Sequence, residues 1–197
     1  MDSPKAAEYP QPPAGYRFAG LLQFPRIKLQ IAAVLLLVVT APLLFIFILL
    51  LHRSPGPEVF IFKNSMTDLV LLIITVLATM VVHELTHGIT YKLLGYRVTF
   101  GLSIYLLAAY AAVFGQWQKR DHNLIAALIP LIALTGILIP FLAVPNRIVV
   151  LVVFIALLIN TAGSVGDLYL TWRLLRMPRS TLIYDLDVKT VLIYMPQ

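Results

Sequence analysis

The chain has 197 residues, 60% of them hydrophobic and 12% charged, with a formal charge of +6 and a mean hydropathy of +0.90. Soluble domains carry about a quarter charged residues, so this composition predicts an integral membrane protein, and the length allows one compact bundle with little left for a separate soluble domain beyond two short tails. There is no cysteine, which excludes disulfides and thiolate metal sites and leaves His, Asp and Glu as ligands for any metal.

In chain order, residues 1–26 form an N-terminal tail whose Pro-rich "EYPQPPAGY" is expected to be extended or disordered. The first apolar run, 27–51, is too long for the apolar part of a signal peptide and has no small-residue cleavage site behind it, so it reads as a retained span. The second, 68–94, follows "SMTD" (Ser65–Asp68), a capping-box pattern that marks a helix start. After it comes "YRVTFGLSIYLLAAYAAVFGQWQKR", apolar, rich in Tyr, Phe and Val, and broken by Gly101 and Gly115. A full extra crossing there would reverse every later span, so a re-entrant or interfacial hairpin is expected over 96–118. The third and fourth spans are predicted at 123–144 and 148–172. Pro42, Pro130 and Pro140 lie inside apolar runs and should kink them. In the C-terminal tail, 177–197, β-branched and aromatic residues flank "DLD" and predict a hairpin. The expected fold is an all-α membrane protein, a bundle of about four transmembrane helices within residues 27–176.

Basic residues orient these spans. One side receives Lys5, Arg17, Arg26, Lys28, Lys92, Arg97, Lys119, Arg120, Arg173, Arg176, Arg179 and Lys189; the other receives Arg53, Lys63 and Arg147. Both termini are therefore expected in the cytoplasm, with the Ser54–Lys63 loop outside. The positive charge is thereby a topology signal, and no nucleic-acid partner is expected. The second and fourth spans then run in the same direction. Asp68 to His87 and Ile148 to Asp167 are 19 steps each, about 28 Å at the α-helical rise, so His87 and Asp167 should lie at one depth.

The chemistry is concentrated in "VVHELTHGIT" of the second span. His83 and His87 are one turn apart on one helix face, the spacing that two ligands of one tetrahedral zinc need. Glu84 flanks them, about 100° around the helix, where it could take a proton from metal-bound water. Ionisable groups inside a bilayer are costly and mark function by default. Neither 67–91 nor 148–172 contains Lys or Arg. Glu84 and Asp167 thus lack a cationic side chain in either span, and a divalent ion would balance both carboxylates.

A third ligand must come from elsewhere. His52 belongs to the outer loop and His122 to the solvated start of the third span, whereas Asp167 is intramembrane, at matching depth, and preceded by "NTAGSVG". Asn160 shares its helix face and reads either as part of the site or as an ordinary interhelical hydrogen-bonding residue; Gly163 and Gly166 would allow a close approach to the histidine helix.

"HELTH" in one span and "NTAGSVGD" in a later one resemble the site-2 protease group of intramembrane zinc peptidases, and most closely the small integral-membrane zincin peptidases. The resemblance runs from about Asp68 to the C-terminal "YMPQ". It implies one zinc per chain, bound by His83, His87 and Asp167, with Glu84 activating water and Asn160 as a second catalytic residue that helps hold the substrate or its oxyanion. It implies a multi-pass protein of a prokaryotic cell membrane, surrounded by the lipid bilayer, that cleaves a membrane-embedded protein or peptide with a zinc-activated water. Gly166 before Asp167, with no glycine after it, and the lack of a proline after Asn160 depart from the group's pattern. The competing reading is a non-catalytic metal-binding membrane protein, either a pseudo-protease regulator or a carrier; a retained Glu84 and the apolar first and third spans argue against it.

Overall fold

The structure is a computed structural model that describes residues 9–52, 65–103, 108–188 and 190–197. The expected outer loop with Arg53 and Lys63, residues 104–107 of the expected hairpin, and Lys5 and Lys189 lie outside the described residues. Among those described, four helical stretches are long and apolar enough to cross a membrane: Arg26–His52, Met66–Leu93, Arg120–Ala143 and Arg147–Leu175.

The first is α1 (Arg26–His52) and the second α2 (Ser65–Leu93), which begins where the capping pattern places it. Gly95 ends α2. Its φ of 90° lets Gly95 N–H reach Lys92 O and Tyr96 N–H reach Tyr91 O, the paired bonds that close a helix through a left-handed glycine. The third stretch is α3 (Arg120–Leu138), continued by a short 3-10 turn, Ile139–Ala143, with Pro140 near its start. The fourth is two helices, α4 (Arg147–Gly163) and α5 (Val165–Leu175), joined at Ser164. Asn146 starts α4, its side chain accepting from the N–H groups of Ile148 and Val149. Helix α2 packs against both α3 and α4, and α1 against α4.

The all-α expectation needs correcting, because two small sheets complete the fold. Strands β2 (Thr99–Ser103) and β3 (Ala108–Ala112) pair antiparallel where the hairpin was expected. A four-stranded antiparallel sheet has the order β1-β6-β5-β4, with β1 (Tyr16–Leu22), β4 (Trp117–Lys119), β5 (Leu182–Asp185) and β6 (Val191–Pro196). The C-terminal hairpin was legible from its composition. The pairing of β1 with β6 was not, because "YRFAGLL" has no β-branched residue and gains its strand form from the partner, with a register shift between Phe18 and Gly20 (φ 143°). Leu22, Leu174, Ile183 and Ile193 form the core that holds this sheet to α5.

The sheet gathers both chain ends and the start of α3 at one end of the bundle. At the other end Arg147 pairs with Asp68 at 3.4 Å, so α2 and α4 start level and run in parallel. His52 also lies there. It is the last residue of α1, its Nε2 2.9 Å from the Leu142 carbonyl.

Candidate metal centre

With α2 and α4 level at their starts, equal numbers of turns bring the polar residues of both to one depth. His83 and His87, both buried, face the α4–α5 stretch; their rings are 4.9 Å apart. Asp167, in the first turn of α5, sets its Oδ2 3.3 Å from His83 Nε2 and 3.4 Å from His87 Nε2. Asn160, two turns earlier, meets His83 from the other side of the ring, its Oδ1 2.9 Å from Nδ1. One imidazole is thus bracketed by a residue of α4 and a residue of α5.

The hydrogen bonds settle the tautomers. His87 Nδ1 is 2.8 Å from the Ala126 carbonyl, an oxygen that can only accept, so Nδ1 carries the proton. Asn160 Nδ2 donates to Pro130 O and Thr135 Oγ1, both at 3.4 Å, which turns the amide oxygen toward His83 and makes His83 Nδ1 a donor as well. In neutral imidazoles both Nε2 atoms then offer bare lone pairs, and both point at a carboxylate oxygen. Lone pairs and an anion at such distances repel unless a cation lies among them.

The donor set fits zinc. Ligand atoms about 2.0–2.2 Å from a tetrahedral zinc lie roughly 3.3–3.5 Å from one another, which is the spacing of Asp167 Oδ2 from both nitrogens. The outward Nδ1–H···O bonds to Asn160 and Ala126 are the supports that orient metal-binding histidines.

Glu84 stands beside the pair. One donor atom each from His83, Glu84 and His87 fall within 4.8 Å of one another. That grouping leaves out Asp167, whose Oδ2 lies 3.3 Å and 3.4 Å from the two nitrogens. Glu84 Oε2 accepts the Ala111 N–H of β3 at 2.9 Å. Ala111 is opposite Phe100 in the β2–β3 register, and its N–H is turned to Glu84 of α2. Gly88 makes the approach of the hairpin possible, since a Cβ there would lie 2.1 Å from Phe100 Cζ. The close approach expected at Gly163 and Gly166 is absent: a Cβ at either would meet nothing within 4 Å.

The chain matches, over residues 76–182, the family described as "Putative zincin peptidase". That span covers more than half of the chain and contains His83, Glu84, His87, Asn160 and Asp167. The chain belongs to this zincin peptidase family. No curated protein and no solved structure matches it. Family membership and the buried His83–Glu84–His87 group together support a zinc metallopeptidase.

Other histidines of this zincin stay outside the cluster. His122 Nδ1 is 2.9 Å from the Tyr96 hydroxyl, a protein partner where only solvent was expected. Ala126, Pro130 and Thr135 support the site from α3, and of these the sequence marks only Pro130, as a kink, because backbone carbonyls leave no residue-type signal.

Proposed function

We propose that this protein is a zinc-dependent intramembrane peptidase that hydrolyses a peptide bond of a membrane-associated protein. The observation that carries the reading is the convergence of His83 Nε2 and His87 Nε2 on Asp167 Oδ2, at 3.3 and 3.4 Å, beside Glu84 and inside helical stretches apolar enough to cross a bilayer. His83, His87 and Asp167 would hold the zinc, one ion per chain. Zinc in such a site polarises a peptide carbonyl and lowers the pKa of a water. Glu84 would take the proton of the attacking water and pass it to the leaving amine. His83 and His87 keep their orientation through Asn160 and Ala126, so the ligands need no rearrangement when substrate arrives.

The β2–β3 hairpin belongs to this reading as an interfacial or re-entrant element. A substrate strand laid along the outer edge of β3 would take the Ala111 N–H and leave Glu84 free to act as base. The sheet strands near both ends of the chain would face the cytoplasm, in keeping with the bias of basic residues in the sequence.

Glu84→Gln tests the mechanism. It should keep about one zinc per chain and lose at least a hundredfold in cleavage of membrane-spanning peptides, the size of a general-base contribution. Cleavage equal to wild type sinks the hydrolytic role, and zinc binding without cleavage by the wild type points to the non-catalytic reading.

A further inference from the structure

We propose that Pro130 is a positioning residue for His87, acting through the hydrogen bond that proline cannot make. The inference rests on His87 as a zinc ligand and adds how it is oriented.

In an α-helix the carbonyl of residue 126 accepts the N–H of residue 130. Pro130 lies inside α3 and has no N–H, and its ring crowds the carbonyl four residues back. The Ala126 carbonyl thereby loses its helical donor at a place where water is excluded: Ala126 is 0% exposed and Pro130 is buried. An unpaired buried carbonyl costs about 1–3 kcal/mol. His87 supplies the missing donor, its Nδ1 2.8 Å from that oxygen. The bond fixes the proton on Nδ1, and with it the bare Nε2 that faces Asp167. The carbonyl of Pro130 itself, 3.4 Å from Asn160 Nδ2, supports the residue that orients His83. That carbonyl would be present with any residue, so the proline's own contribution concerns His87 alone.

A kink without this role would make no distinction between the two histidines. With full-length protein in detergent, zinc affinity is measured by chelator competition, and the Nδ1–H hydrogen bonds of His83 and His87 by 1H and 15N NMR of the zinc-loaded protein. Pro130→Ala and Pro130→Leu both restore an N–H that competes for the Ala126 carbonyl. Both should weaken zinc binding about 10–100-fold, the usual loss when an outer support of a ligand is removed, and both should weaken the Nδ1–H hydrogen bond of His87 while that of His83 is unchanged. Thermal stability of Pro130→Ala should hold or rise, since alanine favours the helix. Pro42→Ala, in α1, should change neither zinc affinity nor either hydrogen bond. Wild-type zinc affinity in both Pro130 variants, or a wild-type His87 whose Nδ1–H makes no hydrogen bond, overturns the proposal and leaves the peptidase reading standing. Equal disturbance of both histidines also overturns it. Failure of the wild type to bind zinc is a different result and removes the reading on which the proposal rests.

Discussion

Helix α1 and the α4–α5 stretch are almost equally apolar, with mean hydropathies of 3.2 and 2.6 over their most apolar windows, yet 6% of one window is buried and 44% of the other. Only Ile48 is buried in α1, where it meets Leu142, Val150, Val153 and Leu157. Along α4 buried residues recur from Val150 to Asn160, and the stretch continues to Asp167. The contrast shows that hydropathy in a membrane protein reports compatibility with lipid and says little about which helix forms the core. What separates the two is their polar content: the buried helix carries Asn160, Ser164 and Asp167, each with a partner in the protein.

Several substitutions would break or sharpen this contrast. The largest effect is expected at Asp167→Asn, which removes the one negative charge touching both histidines. Structural zinc sites bind with about 10–16 kcal/mol, so losing one of three or four ligands should cost roughly 3–4 kcal/mol, more than a hundredfold in zinc affinity. An unchanged affinity in chelator competition would remove Asp167 from the ligand set. Next, Leu157→Ala should lower stability by about 3 kcal/mol, the cost of a cavity in the α1–α4 core. Leu35→Ala, at a position 60% exposed on α1, should change it by less than about 0.5 kcal/mol. Equal losses in steric-trapping or denaturation measurements would mean that α1 is held by more than its contact around Ile48.

A smaller effect is expected at the sheet, outside the spans. Burial pushes the Asp185 carboxyl up to about 6 from an ordinary 3.8, against the opposing hydrogen bonds from Gln118 and the Val113 N–H. Between those values the folded chain keeps a proton that the unfolded chain has released. This group therefore favours folding most below about pH 4, and up to roughly 2–3 kcal/mol of that is lost as the pH rises through 6. Asp185→Asn should flatten that slope in thermal unfolding followed from pH 4 to 7. A slope as steep as wild type would mean that Asp185 does not titrate in this range.

Much of the site was legible because helices have a constant rise. Equal counts from Asp68 to His87 and from Ile148 to Asp167 placed two residues 80 positions apart at one depth, and the structure brings them to 3.4 Å. The glycines misled, because small residues only permit an approach and do not compel one; the tight contact formed at Gly88 against Phe100.

The sequence by itself pointed to four helices apolar enough to cross a membrane, to the start of α2 and to two histidines on one face of it, because each follows from composition or from spacing along a single element. Tertiary structure alone decided which groups hold the histidines, where Glu84 rests, and that the chain's two ends share one sheet. Those depend on backbone N–H and C=O groups, which every residue carries and no residue type announces; the Ala126 carbonyl becomes a partner for His87 only when α3 is packed against α2.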